Sequence, residues 1–213
     1  MEWRLINAGM ATVQLLRNNA THGWDIDIHV ESAGLVSRLY RVLDSYQVTG
    51  NERFCASSAQ LDAQEGKKHA LTRLLFDSAR KKVTYDERDL VKNSSEKREL
   101  DIAPCTFEIA GALAALRTQI LEPGRSIALP ITDGKKFAVA RIEAKLKERI
   151  TVNGKSYATT RYEAYVFDNV IYKRRGRLLM WLSDDADHVP VQFRLLFGFP
   201  IGTLTVNLQK QEK

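Results

Sequence analysis

The chain has 213 residues, a formal net charge of +6 and a pI near 9.3. Its 44% hydrophobic and 27% charged residues are usual for a globular protein, and its length suits one domain or two small ones. No apolar run approaches the roughly 20 residues that a membrane-spanning helix needs. The positive charge fits an anionic neighbour, but basic residues on the solvent-facing sides of strands explain it more simply.

The first residues, Glu2-Trp3-Arg4-Leu5-Ile6, have the pattern of the inside of a strand. No apolar segment of a signal peptide follows Met1. We therefore expect that a targeting segment preceded this strand and is absent from the present chain.

Alternating apolar and polar residues predict strands through most of the first half of the chain. The clearest runs from Trp24 to Val30, with its tryptophan, isoleucines and valine facing inward. The segment from Ala33 to Tyr40 breaks this period and indicates a short helical turn. The segment from Asp86 to Asp101 is dense in charge and poor in apolar residues, which predicts a solvated loop. Further strands are predicted at Met10 to Leu16, Ser45 to Thr49, Phe54 to Asp62, His69 to Asp77 and Lys82 to Asp86.

One longer amphipathic helix is predicted from Thr106 to Ile120, with Thr106 as its cap and Glu108 in its first turn. Its apolar stripe consists of Ile109, Leu113, Leu116 and Ile120. Hairpin turns are predicted at Asp133-Gly134 and Asn153-Gly154. Strands are predicted around these turns at Ser126 to Ile131, Phe137 to Arg149 and Ser156 to Asn169.

The last quarter, from Gly176 to Lys210, predicts three antiparallel strands. Leu178 to Leu182 is apolar on both sides, so one side must meet the core and the other must be covered by the helix, a partner or a ligand. Leu179 and Trp181 are therefore candidates for an apolar ligand face. The sequence as a whole predicts a single, mostly β domain over residues 1–213. We expect a curled antiparallel sheet, as an open barrel or a sandwich, with one amphipathic helix and one short helical turn.

The chain resembles the exported bacterial proteins grouped as domain of unknown function 3108. The resemblance covers nearly the whole chain, and its most specific part is the C-terminal block. It implies a mostly β domain exported to the periplasm or envelope of Gram-negative bacteria, and it supplies no activity and no catalytic residues. The motifs that carry it are Glu2-Trp3-Arg4-Leu5, Ala8-Gly9, Gly34-Leu35-Val36-Ser37, Leu39-Tyr40, Asp44, Tyr46, Leu113 to Arg117, Pro123-Gly124, Gly176-Arg177, Trp181-Leu182-Ser183-Asp184-Asp185, Pro190-Val191 and Pro200-Ile201-Gly202-Thr203.

The two cysteines, Cys55 and Cys105, have two interpretations. In an exported protein they would form one disulfide, and in a reducing compartment they would be buried apolar residues. Given the implied export, we predict the disulfide, which would tether the helix to the sheet.

No motif points to catalysis, a cofactor or a metal. The four histidines are scattered, and the turn at Asp184, Asp185, Asp187 and His188 lacks the spacing of a calcium loop. Glu163 and Asp168 are expected on a strand, and no partner carboxylate is placed by the sequence. The basic clusters lack the aromatic platform of nucleic-acid binders, so we expect no nucleic-acid partner.

Three classes of function remain. The first is binding of a lipid or other apolar ligand without catalysis, since a curled sheet of this size can enclose an apolar cavity. The second is an envelope scaffold or protein-interaction module without a small ligand. The third is an enzyme whose site is assembled from scattered residues.

Overall fold

A computed structural model describes residues 1–3, 6–19, 22–198 and 202–212. The chain is mostly β, with 61% of residues in strands, two antiparallel sheets and two helices, which confirms the predicted class. Neither sheet closes on itself in the part of the chain that the structure describes. Arg4, Leu5, Pro200 and Ile201, which belong to two of the quoted motifs, lie outside the described residues.

The elements follow one another with mostly short connections. No helix within the described ranges is long and apolar enough to cross a membrane. In chain order they are β1 (Glu2–Trp3), β2 (Ile6–Asn7), β3 (Gly9–Asn18), β4 (Gly23–Ser32), α1 (Gly34–Leu39), β5 (Val42–Gly50), β6 (Ala56–Glu65), β7 (Lys68–Asp77), β8 (Lys82–Asp89), β9 (Ser94–Asp101), α2 (Ile109–Arg117), β10 (Ser126–Thr132), β11 (Phe137–Val152), β12 (Lys155–Tyr165), β13 (Gly176–Ser183), β14 (Pro190–Phe197) and β15 (Thr203–Asn207).

The chain divides into two compact units. The C-terminal unit consists of Met1–Ile6, Leu116–Leu129 and Val139–Lys213, and the N-terminal unit consists of Asn7–Ala115 and Pro130–Ala138. That residues 1–213 form a single domain stays a prediction.

The N-terminal unit contains the seven-stranded sheet, in which the strands follow their chain order from β3 to β9. Side chains along each strand point alternately to the two sides of the sheet. We call the side that carries the core the inner side. Ile26, Val48, Leu74 and Tyr85 lie on it and are at most 5% exposed. The residues of β4 and β5 that point to the other side are polar or charged, apart from Gly23 at the start of β4 and Leu43 near the start of β5.

The segment before α2 is fastened to the start of β6. A disulfide joins Cys55 to Cys105, with Cα atoms 5.0 Å apart, within the limit of about 7 Å for such a bond. Next to it, the Ala56 backbone N–H donates to the Thr106 carbonyl at 2.9 Å. The covalent and backbone links together hold the beginning of α2 against the sheet.

Helix α2 is shorter than predicted and is capped by a different residue. The Thr106 hydroxyl donates to the Ala103 carbonyl, and Phe107 forms a parallel bridge with Ile131. The helix therefore starts at Ile109, and Glu108 accepts the first helical bonds. Ile120, predicted as the end of the apolar stripe, lies beyond the helix and is 83% exposed.

The residues that α2 buries are mostly small. The prediction assigned its buried face to large apolar residues, but Ile109 and Leu113 are only half-buried. A Cβ on Gly111 would lie 2.9 Å from the Phe54 carbonyl oxygen, so the helix lies very close to the backbone before β6. Small residues permit this approach. The buried helix positions with side chains are Ala110, Ala112, Ala114, Ala115 and Leu116.

The prediction of a loop from Asp86 to Asp101 is wrong, because this segment contains the end of β8 and the whole of β9. Strand β9 is the last strand of its sheet and most of its residues are exposed. An edge strand without a buried side shows no alternation of apolar residues, so its sequence resembles that of a solvated loop.

The turn at Gly134 suggests a first mutational test. Gly134 has φ +85°, and a Cβ there would lie 2.3 Å from Leu74 Cδ2 and 2.6 Å from Tyr85 Cδ2. We expect Gly134→Ala to lower the free energy of unfolding by about 2–4 kcal/mol, through backbone strain and overpacking. Gly154 is the control, because it has φ +78° and nothing within 4 Å. Gly154→Ala should lower the free energy of unfolding by only about 1 kcal/mol, and urea titrations of both variants measure the difference. Equal losses would contradict the close packing at Gly134.

The C-terminal unit is built on the eight-stranded sheet, with the strand order β10-β11-β12-β13-β14-β15-β1-β2. Met180 and Leu182 point to one side of β13 and are at most 2% exposed, as are Tyr162 of β12 and Val191 of β14. Strand β12 ends at Tyr165, four residues before its predicted end at Asn169. Asp168 and Asn169 have positive φ, which is incompatible with a continued strand.

Candidate functional site

The inner side of the seven-stranded sheet is incompletely covered at β3 and β4. Val13 points to the same side as the buried Ile26 and Val48, yet it is 62% exposed. Four neighbouring apolar side chains on this side are half-buried. We call these five residues the β3–β4 inner face: Ala11, Val13, Leu15, Ile28 and Val30. Apolar side chains that point to the core side of a sheet but remain exposed are a feature of binding surfaces.

Helix α1 extends this apolar surface. It contacts β3, and none of its residues is buried. Leu35 is 55% exposed and Leu39 is 74% exposed, so the short helix presents leucines to solvent beside the edge of the sheet. The predicted helical turn from Ala33 to Tyr40 is thus present, with its apolar residues outside the core.

A shallow depression lies on the opposite side of the same strands. Its volume is about 210 Å³, below the roughly 300–1,000 Å³ of typical small-molecule pockets. Polar and apolar side chains are mixed in its lining, which consists of Met10, Thr12, His29, Val30, Glu31 and Leu43. This depression is therefore a weaker candidate for an apolar ligand than the β3–β4 inner face.

Trp181, one of the two predicted ligand-face residues, is held by polar groups. It is 4% exposed, its indole N–H donates to Glu148 Oε1 at 2.8 Å, and the Arg194 guanidinium lies 5.1 Å from its ring. Leu179, the other one, points to the same side of β13 and is half-buried. That Leu179 and Trp181 form an apolar ligand face stays a prediction.

Two carboxylates face each other across β11 and β12. Glu143 is directly opposite Glu163, a partner that sequence reasoning did not find. Arg177 donates to both oxygens of Glu163, at 2.6 and 3.1 Å, and Lys145 lies 2.9 Å from Glu143 and 3.6 Å from Glu163. Hydrogen bonding and charge from Arg177 lower the pKa of Glu163, so this carboxylate is ionised at neutral pH. Asp168 lies outside the strand on which it was predicted.

Glu108 is the most deeply buried carboxyl group with a shifted pKa among the described residues. It is 3% exposed, and its Oε2 accepts from the Ala110 backbone N–H at 2.6 Å. Burial raises its pKa to about 7, although hydrogen bonds from Tyr46 and from the backbone of Ala110 and Ile109 oppose the shift. Asp133 raises it further. Since solvent does not reach Glu108, its position at the start of α2 suits a structural role.

The acidic turn after β13 satisfies its own polar groups. Asp185 Oδ1 accepts from the Ser183 hydroxyl at 2.7 Å and from the backbone N–H of Asp187 and His188. The Ser183 bond is the main cause of the lowered pKa of Asp185. No group of three or more His, Cys, Asp or Glu residues that could hold a metal occurs in the ranges that the structure describes.

The comparisons with known proteins give one match. A family model with the description "Protein of unknown function (DUF3108)" matches residues 1–209. No curated protein and no solved structure matches the chain. The match spans residues of both compact units, and it supplies no activity that could be carried to this chain.

Proposed function

Because the chain belongs to DUF3108, a family of unknown function, we propose a function from its own geometry: it binds a lipid or another apolar ligand without catalysis, in the periplasm or cell envelope. The β3–β4 inner face is the proposed site. The observation that carries the proposal is the 62% exposure of Val13 on the side of the sheet where Ile26 is 5% exposed.

The chemistry of the face favours an apolar ligand. Its five residues are all uncharged and apolar, and they are contiguous on neighbouring strands in the register Ala11 to Val30, Val13 to Ile28 and Leu15 to Ile26. Burying apolar surface contributes about 25 cal/mol per Å². The leucines of α1 beside β3 would add to this surface.

The disulfide supports a location outside the cytosol. Disulfides persist in the periplasm and at cell surfaces and are rare in a reducing cytosol. Two of the carboxylates with shifted pKa values are poorly placed for catalysis, because Glu163 is neutralised by Arg177 and Glu108 is only 3% exposed.

The proposal is tested with two substitutions on adjacent residues of β4. Ile28 belongs to the inner face, is half-buried and does not line the shallow depression, whereas His29 points to the opposite side, is exposed and lines it. We expect the purified protein to bind the apolar fluorophore N-phenyl-1-naphthylamine, and Ile28→Glu to weaken binding at least about tenfold, by the cost of a desolvated carboxylate. His29→Glu should leave the affinity unchanged.

The possible results separate the alternatives. Loss of binding in His29→Glu but not in Ile28→Glu would place the ligand in the shallow depression and refute the inner-face site. Failure of the wild-type protein to bind the fluorophore, together with a clean mass in native mass spectrometry after purification from an envelope fraction, would favour the alternative function of an envelope scaffold or interaction module without a small ligand.

A further inference from the structure

We infer that two copies of this chain pair through β3, in an antiparallel arrangement with Val13 on the two-fold axis. Among the strands that the structure describes, β3 is the first strand of the seven-stranded sheet, and only β4 pairs with it. An unpaired edge carries backbone N–H and C=O groups that can bond to another strand. The inference does not require the proposed ligand.

The two edges of this sheet differ in how they are protected. Strand β9 forms the opposite edge, and charged residues at Glu96, Lys97, Arg98, Glu99 and Asp101 make pairing with another strand unfavourable. Strand β3 has the sequence GMATVQLLRN, with a single charge close to its end. It contains no proline, and its burial pattern leaves most of its length open to solvent.

The backbone groups at the open edge are those of the odd-numbered residues. The Ala33 N–H donates to the Ala8 carbonyl at 2.9 Å, and Gly9 is opposite Ser32. Ladder hydrogen bonds use every second residue of a strand. The even-numbered residues of β3 therefore bond to β4, and the N–H and C=O of Ala11, Val13 and Leu15 point away from it.

The sequence of β3 is complementary to itself about Val13. On the inner side, the axis places Val13 against Val13 of the second copy and Ala11 against Leu15. On the other side, it places Met10 against Leu16 and Thr12 against Gln14. Apolar residues thus meet apolar ones and polar residues meet polar ones, which is the pairing that stabilises sheets.

Neighbouring registers are less favourable. An axis at Gln14 would place Met10 against Asn18 and Thr12 against Leu16, so that apolar residues face polar ones. An axis at Thr12 would pair a shorter part of the strand. With the axis at Val13, the two copies of Val13 form one hydrogen-bonded pair and Ala11 and Leu15 form the next, so these outward-facing backbone groups bond to one another. This axis joins the inner faces of the two copies into one wider apolar surface.

Sedimentation equilibrium of the full chain tests the inference. We expect the wild-type protein to have twice the 24.2 kDa mass of one chain at micromolar concentration. Val13→Lys should raise the dissociation constant at least about tenfold, because two ammonium groups then face each other on the axis. Val91→Lys is the control, since Val91 is also 62% exposed but lies in the turn between β8 and β9, and it should stay dimeric.

A charge exchange tests the position of the axis. Val13→Lys and Val13→Glu should each dimerise at least about tenfold more weakly than the wild-type protein, and an equimolar mixture should form a mixed dimer, because the two side chains meet directly. A monomeric wild-type protein, a dimer that survives Val13→Lys, or a mixture that stays monomeric would each overturn the inference. Circular dichroism checks that every variant is folded.

Discussion

We expect removal of the disulfide to lower the free energy of unfolding by about 4 kcal/mol. The bond between Cys55 and Cys105 closes a loop with a sequence separation of 50 residues. Chain-entropy estimates for a loop of this length give about 4 kcal/mol, because the cross-link restricts the unfolded chain. The measurement is a denaturant titration of the double variant Cys55→Ala, Cys105→Ala beside the wild-type protein.

Reduction supplies the control for this prediction. Wild-type protein with an excess of reductant should lose stability to the level of the double variant, while the double variant should be unaffected by the reductant. Hydrogen exchange should rise first at the start of α2, since Cys105 lies just before this helix and Cys55 just before β6. Two reactive thiols in the unreduced protein, with the same stability as the reduced one, would contradict the bond.

The strands could be predicted wherever one side is buried. Trp24 to Val30 was predicted as a strand from its alternation, and β4 contains it and extends from Gly23 to Ser32. Strand β9 was missed because both of its sides are solvated, so its charged residues carry no periodic signal. Helix α2 was predicted too long because Thr106 and Glu108 have the pattern of a helix cap and a first turn, although Phe107 pairs with Ile131 instead.

The candidate sites depend on contacts that a sequence does not reveal. The run from Leu178 to Leu182 indicated that both sides of this strand need cover, but it did not reveal that Trp181 bonds to Glu148, which is 33 residues away. The sequence also did not reveal that Val13 is exposed, because Met10 to Leu16 has the pattern of an ordinary strand. Whether such a strand lies inside a sheet or at its edge is decided by strand order.

The second large effect concerns pH and the carboxyl group of Glu108. Its pKa in the folded protein is about 7, raised from 4.5 by burial. At a pH between these two pKa values, the folded protein holds a proton on Glu108 that the unfolded chain has released. The free energy of unfolding therefore falls as the pH rises. Full stability from this group is present below pH 4.5 and is lost as the pH passes 7. The expected loss is about 3 kcal/mol, from 1.36 kcal/mol per pKa unit.

Glu108→Gln isolates this contribution from other titrating groups. A glutamine cannot ionise, so the stability of the variant minus that of the wild-type protein should rise by about 3 kcal/mol between pH 4.5 and 8, as measured by urea titration. Glu163→Gln is the comparison with the opposite sign, because Arg177 lowers the pKa of Glu163 and that group stabilises the fold above its unfolded pKa. A difference that does not change with pH for Glu108→Gln would show that this carboxyl group titrates as in the unfolded chain, and would refute its burial at the start of α2.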